Sequence, residues 1–431
     1  MTITFGEKVL LTREKIDKIS CSLYLFVLVF APPLIPYPHL FLTIFSFLAL
    51  ATTYRGTVWR IVKKSGIYNW VMVMALLVIY TVCIPFPISM ICGDIVNLSH
   101  YISVINRYGV LVVAVSVCGT YLLCMTEKKR YSYDFLIECL INAGLIESSC
   151  SILAFLSPKI KSLFIFFMKR FSESYLYSDA WYITVRAYGF ASTLVDVFGL
   201  GIGIIAGVSF FYGIIGKKRY IIESLIIAIA TLLNSRTGVL IYAIAVALSI
   251  AYVVLKGNPK MVLTTFAATG LLAVGVLLVL EIMKTNEYTT GWVQAGVNSI
   301  TNFLHGGESQ GDNDAMALLF RDDYWNYPPF PRILVGTGHS LYGATGYVHS
   351  DVGYVNELWL FGVFGCTLLY GSIAEMCIRL KKKTQVSMFE YAAVFIMAAY
   401  FFFNIKGAAL GYNPGAVAMF LIVFIGKWQT E

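Results

Sequence analysis

The chain has 431 residues, of which 58% are hydrophobic and only 13% charged, with a formal charge of +8. Soluble domains average roughly 45–50% apolar and about 25% charged, so too few polar side chains are present to cover a water-facing surface. Nucleic-acid binding is also excluded, because lysine and arginine sit in short clusters between apolar runs rather than along one polar face.

Residues 1–20 carry several charges and no small-residue cleavage motif, so no removable signal peptide is expected there. Beyond them, apolar runs predict an all-α polytopic membrane protein, since about 20 such residues in a helix cross a hydrocarbon core. Helices are expected over 19–36, 38–54, 67–86, 105–125, 133–156, 187–216, 219–234, 237–255, 261–283, 354–377, 388–404 and 408–426. Pro32, Pro33, Pro36 and Pro38 force a tight turn between the first two. The nine cysteines form no CxxC pair and sit mostly inside apolar runs, where they read as small core residues.

Charge orients the bundle. With the N-terminus in the cytoplasm, the clusters at Arg55–Lys64, Lys128-Lys129-Arg130, Lys217-Lys218-Arg219, Lys256–Lys260 and Arg379–Lys383 all fall on that side. Each connecting loop there is short and basic, as the positive-inside rule requires. About a dozen spans with both termini inside satisfy it. The other face carries a large loop, 284–353, between the ninth and tenth spans, and a segment, 157–186, whose Phe164, Ile165, Phe166 and Phe167 with nearby bases suggest a helix lying in the headgroup layer, a badly formed extra span being the plain alternative. The whole chain reads as one membrane domain, without repeats.

External basic residues run against the bias and are therefore informative. Arg236 sits in the turn Asn234-Ser235-Arg236-Thr237-Gly238, where its planar fork suits phosphate oxygens; an arginine snorkelling to the interface is the plain alternative. Arg186 opens the sixth span three residues before Gly189, either as a ligand group or as an interfacial anchor beside Trp181. Arg332 lies ahead of Gly336, Gly338 and Gly343, in a substrate-facing loop or in ordinary loop punctuation. His349 and Asp351 precede the tenth span, where they can orient or deprotonate a sugar hydroxyl, or simply start the helix with Ser350 or Asp351 as its cap. Asn356 and Glu357 are expected to face the bundle interior, because an unpaired carboxylate facing lipid is costly. Asp312-Asn313-Asp314 reads as solvated loop, and neither a metal nor any other cofactor is expected.

Three features in order, Arg186-x-x-Gly189, Asn234-Ser235-Arg236-Thr237-Gly238 and His349-Ser350-Asp351-x-Gly353-Tyr354 followed by Gly362-x-x-Gly365, resemble the Wzy-type O-antigen repeat-unit polymerases. These share a superfamily with the O-antigen ligases, and the resemblance covers the architecture along most of the chain. Family members use external arginines, some in an Arg-x10-Gly spacing. Arg332 and Gly343 have that spacing, whereas Arg186 departs from it, because position 197 is valine.

The resemblance implies a bacterial inner-membrane enzyme working on the external face. The growing glycan would leave undecaprenyl pyrophosphate as its anomeric carbon is attacked, with inversion, by a hydroxyl of the next lipid-linked repeat. Arg186, Arg236 and Arg332 would bind the donor pyrophosphate, stabilising the departing charge without a metal; His349 with Asp351 would position or activate the acceptor hydroxyl. Implied partners are the undecaprenyl-pyrophosphate-linked donor and acceptor, membrane lipids, and optionally a chain-length regulator. Two alternatives stand beside this. One is the ligase that moves glycan to lipid A core. The other is a transporter of lipid-linked repeats, for which an internal repeat and broken helices would be expected.

Overall fold

The computed structural model describes residues 2–34, 36–92, 98–171, 187, 189–191, 195–284, 322–338, 350–411 and 413–430. All regular structure among them is helical: α1 (Thr2–Phe30), α2 (Pro38–Thr52), α3 (Val58–Lys64), α4 (Ile67–Cys83), α5 (Pro85–Ile91), α6 (Leu98–Lys129), α7 (Tyr133–Leu156), α8 (Pro158–Phe171), α9 (Val195–Ile214), α10 (Arg219–Asn234), α11 (Arg236–Lys256) and α12 (Pro259–Lys284). After a 3-10 turn (Asp322–Trp325) come α13 (Arg332–Val335), α14 (Gly353–Lys383), α15 (Ser387–Phe403) and α16 (Pro414–Thr430). In lipid no water pairs an open backbone, which is why apolar segments of this length become helices. Among the described residues, seven stretches are long and apolar enough to cross a membrane: Ile67–Ile91, Tyr108–Lys129, Tyr133–Leu156, Val197–Ile214, Arg236–Lys256, Pro259–Ile282 and Gly353–Lys383. Pro38–Thr52, Ser387–Phe403 and Pro414–Thr430 are apolar but shorter.

Burial separates centre from rim. The apolar window of α9 is 94% buried and that of α12 only 11%, so among the described residues α9 is the axis and α12 lies at the rim. The cause lies in the spacing of small residues on α9. Gly199, Gly203 and Gly207 recur every fourth residue and form one stripe along the helix. A β-carbon at Gly203 would lie 2.7 Å from the Gly238 carbonyl oxygen, while Gly199 abuts Ser235 and Gly207 abuts Ala245. This small-residue stripe lets the α9 and α11 backbones approach closely, and it fixes where Arg236 begins its helix.

The basic clusters meet at one end of the bundle. Glu138 of α7 pairs with Lys18, with Lys217 at 2.6 Å and with Arg219 at 3.4 Å. Lys129 pairs with Asp17 at 2.7 Å, Lys256 with Glu390 at 3.0 Å, and Arg60 with Glu127, which also accepts from Trp428 Nε1 at 3.3 Å. Burial works to raise the Asp17 carboxyl, but the Lys129 ammonium and the Tyr131 hydroxyl outweigh it and hold that carboxyl below the usual range. Tyr131, donating to Asp17 at 2.7 Å, is pushed up to about 12 by burial and by that carboxylate.

Several boundaries differ from the sequence expectation. The helix expected from residue 19 extends back to Thr2, carrying the charged residues 7–18 ahead of its apolar part. The sixth begins at Val195 rather than 187, and Ala187 and residues 189–191 are irregular. The twelfth begins at Pro414 rather than 408: Asn413 accepts from the Ala416 N–H at 2.9 Å as a cap, and Pro414 takes the first helical position. Phe164–Phe167 do form a helix, α8, which exposes Leu163 and Phe166. All nine cysteines are free thiols; Cys83 and Cys92 are exposed, and most of the others are buried.

Candidate functional site

The end opposite the basic clusters is organised around the first turns of α14. Neither Ser350 nor Asp351 caps this helix; Val352 occupies that position. Ser350 instead donates to the Tyr324 carbonyl at 2.7 Å, accepts from the Val352 N–H at 3.2 Å, and offers its own carbonyl to Asn356 Nδ2 at 2.7 Å. Asp351 is left half-exposed and pairs with Lys406 Nζ at 3.5 Å. Asn356 and Glu357 face the interior as expected, and Glu357 is only 1% exposed. Its Oε2 accepts from Tyr370 Oη at 2.5 Å and from Asn404 Nδ2 at 3.0 Å.

α14 is broken at Gly362, whose φ of 62° and ψ of −178° leave the helical region. The break frees carbonyls, and the loop segment after Arg332 takes them up. The Thr337 N–H donates to the Trp359 carbonyl at 2.6 Å and the Gly338 N–H to the Leu360 carbonyl at 3.0 Å. Tyr80 Oη bridges the two chains, donating to the carbonyls of Val335 at 2.9 Å and Phe361 at 3.2 Å. Gly336 (φ 84°) lies so near that a β-carbon on it would sit 2.6 Å from the Gly362 nitrogen. Nine residues into a helix is about 14 Å along its axis, so this loop segment reaches well down beside α14. Arg332 stands at its upper end, with Nη2 directed at the Cys92 carbonyl 3.5 Å away.

Arg236 opens α11 at the same end of the bundle. Ser235 caps that helix by accepting from the Gly238 N–H at 3.1 Å, and buried Asn234 donates to Ser151 at 3.3 Å and to the Ala230 carbonyl at 2.8 Å. Gly201 of α9 packs on Pro414, two residues along from the Gly199 contact with Ser235. The start of α11 and the 404–413 turn therefore flank the start of α9. Of the five predicted site residues, Arg236, Arg332 and Asp351 lie at this end, on separate elements: the segment after Arg332 is seated on residues 359–362 of α14, Asp351 precedes that helix, and Arg236 begins α11. Arg186 and His349 lie outside the described residues, as do 285–321 and 339–349 of the large loop.

Three residues here escaped the sequence reading. Glu147, fully buried in α7, accepts the Phe190 N–H through both carboxylate oxygens, at 3.0 and 3.1 Å. Gly189 lies against that carboxylate, which explains the glycine that follows Arg186. A carboxylate inside an apolar run was the available signal. Asn404 and Lys406 sit in the short turn after α15. Lys406, like Arg236, stands at the end away from the basic clusters. Among the described residues no group of three or more His, Cys, Asp or Glu side chains gathers to hold a metal ion. Compared with family models, curated proteins and solved structures, the chain matches none.

Proposed function

We propose that the chain is a polymerase of lipid-linked oligosaccharide repeats. It transfers the growing glycan from undecaprenyl pyrophosphate to a hydroxyl of the next lipid-linked repeat, at the external face of the bacterial inner membrane. The observation that carries this reading is that Arg236, Arg332 and Asp351 all stand at the end opposite the basic clusters, where α14 breaks at Gly362 and takes up the segment after Arg332. In this reading Arg186, Arg236 and Arg332 hold the donor pyrophosphate and offset the charge that develops on it as it leaves. His349 and Asp351 orient the acceptor hydroxyl. α8 lies in the headgroup layer.

The same reading takes twelve spans with both termini inside. Support comes from the ends of the helices. α6 ends and α7 begins beside Asp17 and Lys18 of α1, α11 ends where α15 begins through Lys256 and Glu390, and α14 begins where α15 ends through the Tyr354 N–H and the Asn404 carbonyl.

One observation favours a transporter of lipid-linked repeats as a second reading: the break of α14 at Gly362, since discontinuous helices mark transport sites. Purified protein in liposomes, given lipid-linked repeat and no other factor, separates the two. Glycan elongation is the expected result. Redistribution of the repeat across the bilayer without elongation would move the assignment to transport, and transfer only to an added lipid A core acceptor would move it to the ligase.

A further inference from the structure

Lys406 is the one lysine or arginine in the turn between α15 and α16, at the end away from the basic clusters. The turn is joined to α14 by a series of contacts in register. Asp351 meets Lys406; Gly353 meets Gly407, whose carbonyl oxygen would lie 2.5 Å from a β-carbon on Gly353; the Tyr354 N–H donates to the Asn404 carbonyl at 3.2 Å; Glu357 accepts from Asn404. Four attachments, from Asp351 to Glu357, hold Lys406 beside the start of α14, just ahead of residues 359–362 on which the segment after Arg332 is seated. The ammonium and its counter-ion are 20% and 29% exposed, so both reach solvent. A pair of this kind, 3.5 Å long and partly hydrated, is weakly held and can be exchanged. A phosphate offers more charge and more acceptor oxygens than one carboxylate.

We propose that Lys406 is a phosphate-binding residue of this site, with Asp351 as its resting counter-ion and the Glu357–Asn404 bond as its positioning element. The proposal rests on the pyrophosphate reading above. It gives Asp351 a second task, releasing a cation to the ligand, and it predicts that neutralising the two partners has opposite effects.

Inorganic pyrophosphate is titrated into the full chain in nanodiscs of zwitterionic lipid, and again in discs containing phosphatidylglycerol. Lys406→Gln should weaken binding about tenfold or more in both, as loss of a charge-assisted contact does, while Lys406→Arg stays near wild type. Asp351→Asn should tighten binding severalfold. The double variant Asp351→Asn/Lys406→Gln leaves no lone charge behind and should bind as weakly as Lys406→Gln alone. Binding unchanged in Lys406→Gln yet lost in Arg332→Gln would overturn the role of Lys406 and leave the pyrophosphate reading standing. No binding by the wild type would overturn both. A loss confined to the phosphatidylglycerol discs would assign the lysine to lipid headgroups and defeat the proposal, as would weakening by Asp351→Asn.

Discussion

Asn404 donates its side-chain amide to Glu357 at 3.0 Å and at the same time accepts the Tyr354 N–H on its backbone carbonyl at 3.2 Å. One residue thus satisfies a buried carboxylate and an N–H of the first turn of α14, and it holds the turn 404–411 in place through the Ala409 N–H at 2.8 Å. Removing one partner of a buried charged group leaves the group unsatisfied, which costs more than the bond itself contributes. Asn404→Ala should therefore lower stability by about 1.5–3 kcal/mol, and Glu357→Gln by less, because the amide oxygen still accepts from Tyr370 and Asn404. Thermal unfolding in detergent reports both; equal losses would show that the carboxylate charge is what the site requires.

Gly336 and Gly362 touch backbone to backbone, both at positive φ. Alanine at either position meets strain of about 1–3 kcal/mol from the dihedral alone, and in addition the opposite chain. We expect either substitution to pull the Thr337–Gly338 segment off α14 and to abolish glycan elongation. Full elongation by Gly362→Ala would mean that the seat of the loop is irrelevant to function.

Arg236→Ala and Arg332→Ala should each reduce turnover on the order of 10²–10³-fold, as loss of a preorganised charge donor does. In cells this reads as disappearance of long-chain glycan with unchanged protein in the membrane. A normal chain-length ladder in the Arg236 variant would remove it from the site.

Glu147 is predicted to act through the segment it holds. Glu147→Leu leaves the part-buried Phe190 N–H without its acceptor, at about 1–3 kcal/mol. Gly189→Ala drives a methyl group into the same carboxylate. Because the two residues are in contact, their effects should not add, and a double-mutant cycle by thermal unfolding measures the coupling. Strict additivity would separate them.

Acidity at the basic end gives a prediction with a definite sign. The Asp17 carboxyl is held low, so its contribution is complete above the ordinary carboxylate range and fades as pH falls through its lowered value. Tyr131 is pushed up to about 12, so its contribution is complete below about 10 and is lost as pH climbs through that raised value. The stability gap between wild type and Tyr131→Phe should be widest near neutrality and shrink toward both extremes; a gap constant with pH would contradict the pairing.

How far the sequence could be read depended on whether an element is decided locally. α7 and α10 begin and end where expected, at 133–156 and 219–234, because charged or turn-forming residues stop each apolar run. The starts of α9 and α16 were misplaced because distant partners decide them. Phe190 is held by a carboxylate 43 positions earlier in the chain, and the 404–413 turn is held by Glu357. Arg236, Arg332 and Asp351 stood out as polar residues against an apolar, one-signed background. Lys406 carried the same signal but gained meaning only through Asp351, 55 positions away.

Cys92 is an exposed native thiol whose own carbonyl faces Arg332. The protein therefore carries a built-in chemical reporter beside one of its candidate arginines. A maleimide too polar to cross a bilayer, offered to intact cells or to inverted vesicles, would reveal from which compartment that arginine is reached, with no engineered tag or fusion.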